Sequence, residues 1–175
     1  GLIYQGLKPI YWSPERESAI ADSEIVYFDK KDPTIYVAFD VQDGKGVLTD
    51  ERFVIWTTTP WTIPANLAIC LNPRFEYAVV NTEKGKLIVL STMVDKLCDK
   101  FHLEQREIIK TYRGQELENI TVKHPFYNRT SVIILGDHVT SDAGTGCVHT
   151  APGLGADDYF VGQKYGLGIL SPVDD

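Results

Sequence analysis

Hydroxyls, amides, an imidazole and a pair of carboxylates crowd into two short stretches of this chain. The first is Trp56-Thr57-Thr58-Thr59-Pro60-Trp61-Thr62-Ile63-Pro64-Ala65-Asn66. The second is Gly144-Thr145-Gly146-Cys147-Val148-His149-Thr150-Ala151-Pro152-Gly153, which runs on to Asp157-Asp158-Tyr159. Both place polar side chains beside backbone-bending Gly and Pro, where a core would take apolar residues. Polar groups gathered at turns between strands are what a small hydrolytic or binding pocket requires.

Three threonines extending the Phe53–Trp56 run are at home in a strand. Pro60 and Pro64 cannot sit inside a central strand, so pairing must stop there and the last threonines lie at the strand's mouth. Thr62 and Asn66 add a hydroxyl and an amide within the same bend. Such groups offer donors and acceptors together, as a carbonyl, a ribose hydroxyl or a water needs. A purely structural reading, a capped turn leading into a short helix, stands beside this one.

In the second stretch, Gly144 and Gly146 permit a tight turn and Val148-His149 reads as a strand end. Pro152, Gly153 and Gly155 prevent regular structure before the acidic pair. One Asp can cap a helix and the other is left to face a pocket. His149 is distinguished by its fixed surroundings, which His102, His124 and His138 lack. Neither a phosphate-binding glycine loop nor a Gly-x-Ser-x-Gly elbow is present, which argues against nucleotide hydrolysis and a serine triad. Metal ligation by His149 with Asp157 or Asp158 lacks a second His nearby, so no metal is expected.

The elements around these stretches read as short strands: Ile25–Phe28, Ile35–Val41, Phe53–Trp56, Ala68–Leu71, Tyr77–Val80, Leu87–Leu90, Ser131–Leu135 and Cys147–His149. Turn signals such as Asp43-Gly44-Lys45-Gly46 separate them. One helix is expected from an N-cap at Ser91 to about Leu103, and a second from Asp157 or Asp158 to Tyr165 with Gly166 as its stop. Ser13–Glu17 has the makings of a helical turn. The expected class is α+β: a strand-rich, barrel-like domain with a few peripheral helices, residues 1–175 forming one unit.

Composition narrows the function. The net charge is −7, without a basic cluster beyond Lys30-Lys31, so a broad phosphate-gripping surface is not expected. No apolar stretch is long enough to span a membrane. The three cysteines are odd in number and far apart, which fits a reduced, cytoplasmic setting better than a disulfide scaffold. A start without Met and a stop just after an apolar run suggest a piece cut from a longer protein.

On its two motifs the chain resembles the editing domain of isoleucyl-tRNA synthetase, called connective polypeptide 1, of the class I synthetase family. The likeness runs from Gly6-Leu7-Lys8-Pro9-Ile10-Tyr11-Trp12-Ser13-Pro14 to Ser171-Pro172-Val173-Asp174. Valyl and leucyl relatives usually carry Arg where this chain has Thr59, and Val148-His149-Thr150-Ala151-Pro152-Gly153 points to the isoleucyl branch. The resemblance implies a β-barrel that hydrolyses Val-tRNA(Ile), with valyl-adenylate as a second candidate substrate, while sparing isoleucine. Its partners would be the tRNA(Ile) 3′ end carrying a misattached small amino acid and the catalytic body of the parent synthetase, with no cofactor in this domain.

The resemblance also assigns roles. Asp158 matches the carboxylate that holds the aminoacyl α-ammonium, and His149 the residue that lines the side-chain pocket and excludes isoleucine. Thr57, Thr58, Thr59, Thr62 and Asn66 match positions contacting the terminal adenosine, the ester or the attacking water. Asp158, His149 and Thr58 form the expected catalytic set; Thr57, Thr59, Trp61, Thr62, Asn66 and Asp157 are the expected substrate contacts. A general-base role for His149 ranks second to the sieve. The chain departs from the family at Leu154, where a His is usual, and at Ala156. A non-catalytic barrel that binds the aminoacylated end or braces the synthetase is the alternative, and a stand-alone esterase is a third reading.

Overall fold

The computed structural model describes residues 1–172; Val173, Asp174 and Asp175, which close the family-like exit motif, lie outside the described residues. A hairpin of β1 (Tyr11–Ser13) and β2 (Ser18–Ile20) precedes the main body. Then follow β3 (Ile35–Asp43), β4 (Arg52–Thr57), β5 (Ala68–Leu71), β6 (Glu76–Thr82), β7 (Gly85–Leu90), β8 (Glu107–Arg113), β9 (Thr121–Lys123), β10 (Thr130–Leu135) and β11 (Cys147–Thr150). The helices are α1 (Val94–Lys100) and α2 (Ala156–Lys164), with a 3-10 helix at Pro60–Ala65.

Nine strands form one mixed sheet in the order β11-β5-β10-β9-β3-β4-β7-β6-β8. All neighbours are antiparallel except β5 with β10 and β4 with β7. The sheet rolls until β11 lies against β4. The Leu90 N–H donates to Thr145 O at 2.8 Å and the Tyr77 hydroxyl to Gly146 O at 2.6 Å, tying the two ends of the roll together. Among the described residues no ladder joins β11 to β4, but the two strands pack together, and the strand-rich, barrel-like α+β expectation holds.

The roll explains the side-chain pattern. Ala68–Leu71 is buried at every position, because alternate residues serve two cores. Ile69 and Leu71 face the large interior cluster with Phe39, Phe53, Ile55 and Ile133. Ala68 and Cys70 face a smaller cluster closed by Val161 of α2. In the ladder His149 sits opposite Ile69 and Cys147 opposite Leu71. Directly opposed residues share a face, so the register directs His149 to the interior of the roll.

Several expectations change. Ile25–Phe28 is β-prone but finds no partner strand among the described residues, and Val26, Tyr27 and Phe28 are exposed. Ser13–Glu17 is the turn of the first hairpin rather than helix, with Glu17 at φ 49°. Ser91 does not cap α1: a 3-10 turn at Ser91–Met93 comes first, and the buried Ser91 hydroxyl has no protein partner among the described residues. The helix ends at Lys100, where His102 at φ 55° turns the chain away. Strand β8 escaped the hydrophobic pattern because it is a sheet edge, exposed except at Tyr112. Gly166 at φ 66° does end α2 as expected. No helix among the described residues is long and apolar enough to cross a membrane.

Candidate active site

The threonine bend forms because β4 has nowhere to continue. Pro60 occupies the first position of the 3-10 helix and Pro64 its interior, and neither has an N–H for a ladder. The Thr57 hydroxyl oxygen accepts the Thr59 N–H at 3.0 Å, which tightens the turn out of the strand. Thr62 donates both its N–H, at 3.0 Å, and its hydroxyl, at 2.7 Å, to Thr59 O.

Behind the bend stands the β9–β10 hairpin, which grips three of its residues. His124 Nε2 donates to Ile63 O at 2.8 Å, the Arg129 guanidinium donates to Pro64 O, and the Ser131 hydroxyl donates to Asn66 Oδ1 at 2.5 Å. His124 thus has the structural role that its unremarkable sequence setting suggested. Burial lowers its pKa, which favours the neutral ring that also accepts the Tyr127 N–H at 3.1 Å.

Gly144 and Gly146 carry the chain into β11 at φ 70° and 78°. A Cβ on Gly146 would lie 2.8 Å from Leu90 Cβ, and one on Gly144 3.1 Å from the Trp56 ring. Both the conformation and the close approach require glycine. The result brings His149 to the bend although the two are 87 positions apart: its Nε2 is 2.8 Å from Thr62 Oγ1 and its Nδ1 2.7 Å from Asn66 Nδ2.

The direction of each of these bonds is determined. The single hydroxyl hydrogen of Thr62 goes to Thr59 O, so Thr62 accepts from His149 Nε2–H. Asn66 Nδ2 also donates to Ala68 O at 2.9 Å, which fixes the amide orientation and makes His149 Nδ1 an acceptor. Both ring nitrogens are therefore occupied in a neutral imidazole. Burial, with a smaller contribution from nearby His124, pushes its pKa down to about 4.

Asp158, in the first turn of α2, forms the opposite wall. Its Oδ2 accepts the Ala151 N–H at 2.9 Å instead of capping its own helix. Its other oxygen has no protein partner among the described residues. Burial raises the carboxyl pKa; the Ala151 N–H and His138 work against that rise. A cavity of about 330 Å3 lies between the walls, lined by both motifs.

Of the residues expected at the site, Thr57, Thr58, Thr59, Thr62, His149 and Asp158 line this cavity. Three others do not. Asn66 is fully buried behind His149, its amide wholly engaged with protein partners, so it contacts the imidazole rather than substrate. Trp61 is 67% exposed on the 3-10 helix, and Asp157 is exposed beside the half-buried Asp158; neither Trp61 nor Asp157 lines the cavity. Leu154, which stands where the family usually has His, is exposed on the rim.

The sequence reading missed His138 and Trp56, which line the cavity with a buried ring N–H or nitrogen that no described residue pairs. Trp56 was visible as the residue leading the threonine run; His138 had no local signal. Cys147 also lines the cavity, but burial raises its thiol pKa, so it remains protonated and is no nucleophile. All three cysteines are free and buried. No three or more His, Cys, Asp or Glu residues gather into a metal-sized group among the described residues.

The rolled sheet with this cavity has the fold of synthetase editing domains. It superimposes on the GlLeuRS-CP1 crystal structure, a leucyl-tRNA synthetase domain, with a TM-score of 0.62 at 18% identity, over 80% of this chain and 68% of that one. The editing domain of the P. knowlesi cytosolic leucyl-tRNA synthetase gives 0.63 at 14% identity, over 82% and 71%. At that identity the likeness speaks for the fold alone.

Sequence relatives are more particular. The chain is 58% identical over 176 positions to the isoleucine–tRNA ligase of Geobacillus thermodenitrificans and 57% identical to that of Bacillus cytotoxicus, matched over all of its own length. Over its whole length it is similar to one segment of these isoleucine–tRNA ligases. It spans 19% of the length of those relatives. No family model matches the chain.

Proposed function

We propose that this chain is a single hydrolytic editing domain that cleaves the ester of valine misattached to tRNA(Ile) and spares isoleucine. The observation that carries the reading is the meeting of the two motifs. Thr62 and His149 are hydrogen-bonded at 2.8 Å across 87 positions, and Asp158 lines the same cavity.

Asp158 has one carboxylate oxygen left for a cation, and burial disfavours its charge until a cation arrives. An aminoacyl α-ammonium is such a cation, and binding it places the ester carbonyl beside the threonines. Water then attacks the carbonyl carbon. The ester C–O bond breaks, and the proton lost by the water goes to the departing ribose oxygen, with the neighbouring ribose hydroxyl as helper. The side chains present do not favour a covalent intermediate: Cys147 is protonated, Thr62 donates its hydrogen elsewhere, and both His149 nitrogens are occupied. Catalysis then rests on positioning and on donors at the developing oxyanion, for which the Thr58 hydroxyl on the cavity wall is available.

His149 acts as a wall. An extra methylene pressed against it must displace a ring held by two hydrogen bonds. Discrimination by one methylene in a synthetic site is limited to roughly 1–3 kcal/mol, a limit established on this enzyme family and taken over rather than deduced. A second site that admits only the smaller product adds to it. In a full-length ligase carrying this segment, Asp158→Ala is expected to lower deacylation of Val-tRNA(Ile) roughly 100-fold, the scale of a lost charged hydrogen bond of about 3 kcal/mol. Near-normal deacylation would remove the assignment.

A further inference from the structure

We propose that Ser131 is a positioning residue of this site: through Asn66 it holds the His149 ring in one orientation and as the Nε2–H tautomer. The proposal deepens the editing reading and rests on it for the activity arm of the test. Ser131 directly precedes the apolar stretch Val132–Leu135 of β10. It lies on the same strand face as Ile133, which packs in the large interior cluster. A hydroxyl buried to 1% exposure on that face is unfavourable unless it is paired.

Its partner explains its presence. Asn66 is fully buried, and among the described residues its Oδ1 accepts only from Ser131, at 2.5 Å. Its two amide hydrogens go to Ala68 O and His149 Nδ1. Flipping the amide would set Oδ1 against Ala68 O and remove the donor to the imidazole. The bonds therefore run in one direction: Ser131 hydroxyl to Asn66 Oδ1, Asn66 Nδ2–H to His149 Nδ1, His149 Nε2–H to Thr62 Oγ1, and Thr62 hydroxyl to Thr59 O. Deleting the first donor leaves Oδ1 buried and unpaired, and the amide loses the contact that opposes its rotation. The titratable groups near the ring are His124, which disfavours its protonation, and Asp158, His138 and Cys147, which line the same cavity.

The test uses 15N-histidine-labelled chain and nitrogen-detected NMR between about pH 8 and pH 5.5, a range spanning the ordinary histidine pKa. The wild-type chain should show His149 with Nε2 protonated and Nδ1 bare, unchanged across the range. Ser131→Ala should shift the two signals toward a tautomer mixture or bring the ring into titration. Ser131→Thr, which returns the hydroxyl, should restore the wild-type spectrum. In full-length ligase, Ser131→Ala should reduce the preference for Val-tRNA(Ile) over Ile-tRNA(Ile) in deacylation about tenfold.

A wild-type His149 that titrates normally, or that carries its proton on Nδ1, overturns the proposal whether or not any variant folds. So does a folded Ser131→Ala chain with unchanged spectra and unchanged preference. Expected spectra in a ligase that hydrolyses neither ester would overturn the editing reading and leave the tautomer lock standing.

Discussion

The two walls of the cavity differ in what they leave unpaired. On the threonine–histidine wall nearly every polar group is closed into a directed chain of hydrogen bonds, from Ser131 through Asn66 and His149 to Thr62 and the Thr59 carbonyl. The β9–β10 hairpin braces that wall from behind at Ile63, Pro64 and Asn66. On the other wall Asp158 is held by one N–H, and His138 near it carries a buried nitrogen without a protein partner among the described residues. A saturated wall has little hydrogen-bonding capacity to offer and acts through its shape. An unsaturated wall has groups to give to a ligand. In an editing site the first suits the measurement of a side chain, with Thr58 outside the bonded chain left for the ester, and the second suits the grip on an ammonium.

That contrast can be broken at several points. Gly146→Ala attacks the turn that delivers the saturated wall: φ of 78° and a Cβ contact of 2.8 Å with Leu90 make the substitution strained and crowded. The expected loss is about 3 kcal/mol in urea unfolding. Gly85→Ala, at φ 96° but in open space, should lose only about 1 kcal/mol. Equal losses would mean that the close approach behind β11 does not matter.

Acid should loosen the same wall. The folded-state pKa of His149, about 4, lies below the ordinary value, so the unfolded chain takes up the proton first as pH falls. Its contribution is full above about pH 6.5 and is lost between there and pH 4, roughly 3 kcal/mol at most. Asp158, with its raised pKa, works in the opposite sense at the acid end of that window. The difference between wild-type and His149→Gln unfolding profiles isolates the histidine; parallel profiles would contradict a neutral buried ring.

On the unsaturated wall the two acids separate cleanly. Asp157→Asn, outside the cavity, should change deacylation less than about twofold and stability by less than about 0.5 kcal/mol. A loss like that of the Asp158 variant would show that the exposed acid takes part.

Much of this was legible in the sequence, and unevenly. Short apolar and β-branched runs, several with period-two alternation, located β3, β4, β5, β6, β7, β10 and β11, because those strands pack against a core. Edge strand β8 was not legible, since its outward residues are polar or exposed and carry no pattern. Ile25–Phe28 carried the pattern without the pairing. Of the residues the two motifs singled out, Thr57, Thr58, Thr59, Thr62, His149 and Asp158 line the cavity. Asn66, Trp61 and Asp157 do not, because composition at a bend does not say which side faces in. Ser131 looked like one more strand residue and His138 like one more loop residue. Their importance comes from long-range contacts that only the rolled sheet creates.

The most direct measurement is the deacylation of Val-tRNA(Ile) and Ile-tRNA(Ile), side by side, by full-length ligase carrying His149→Ala. Retention of valyl hydrolysis within a few-fold, together with newly gained isoleucyl hydrolysis, is the expected result for an imidazole that serves as a wall. Loss of valyl hydrolysis without any gain toward isoleucine would make the ring a chemical participant and contradict the saturated-wall account.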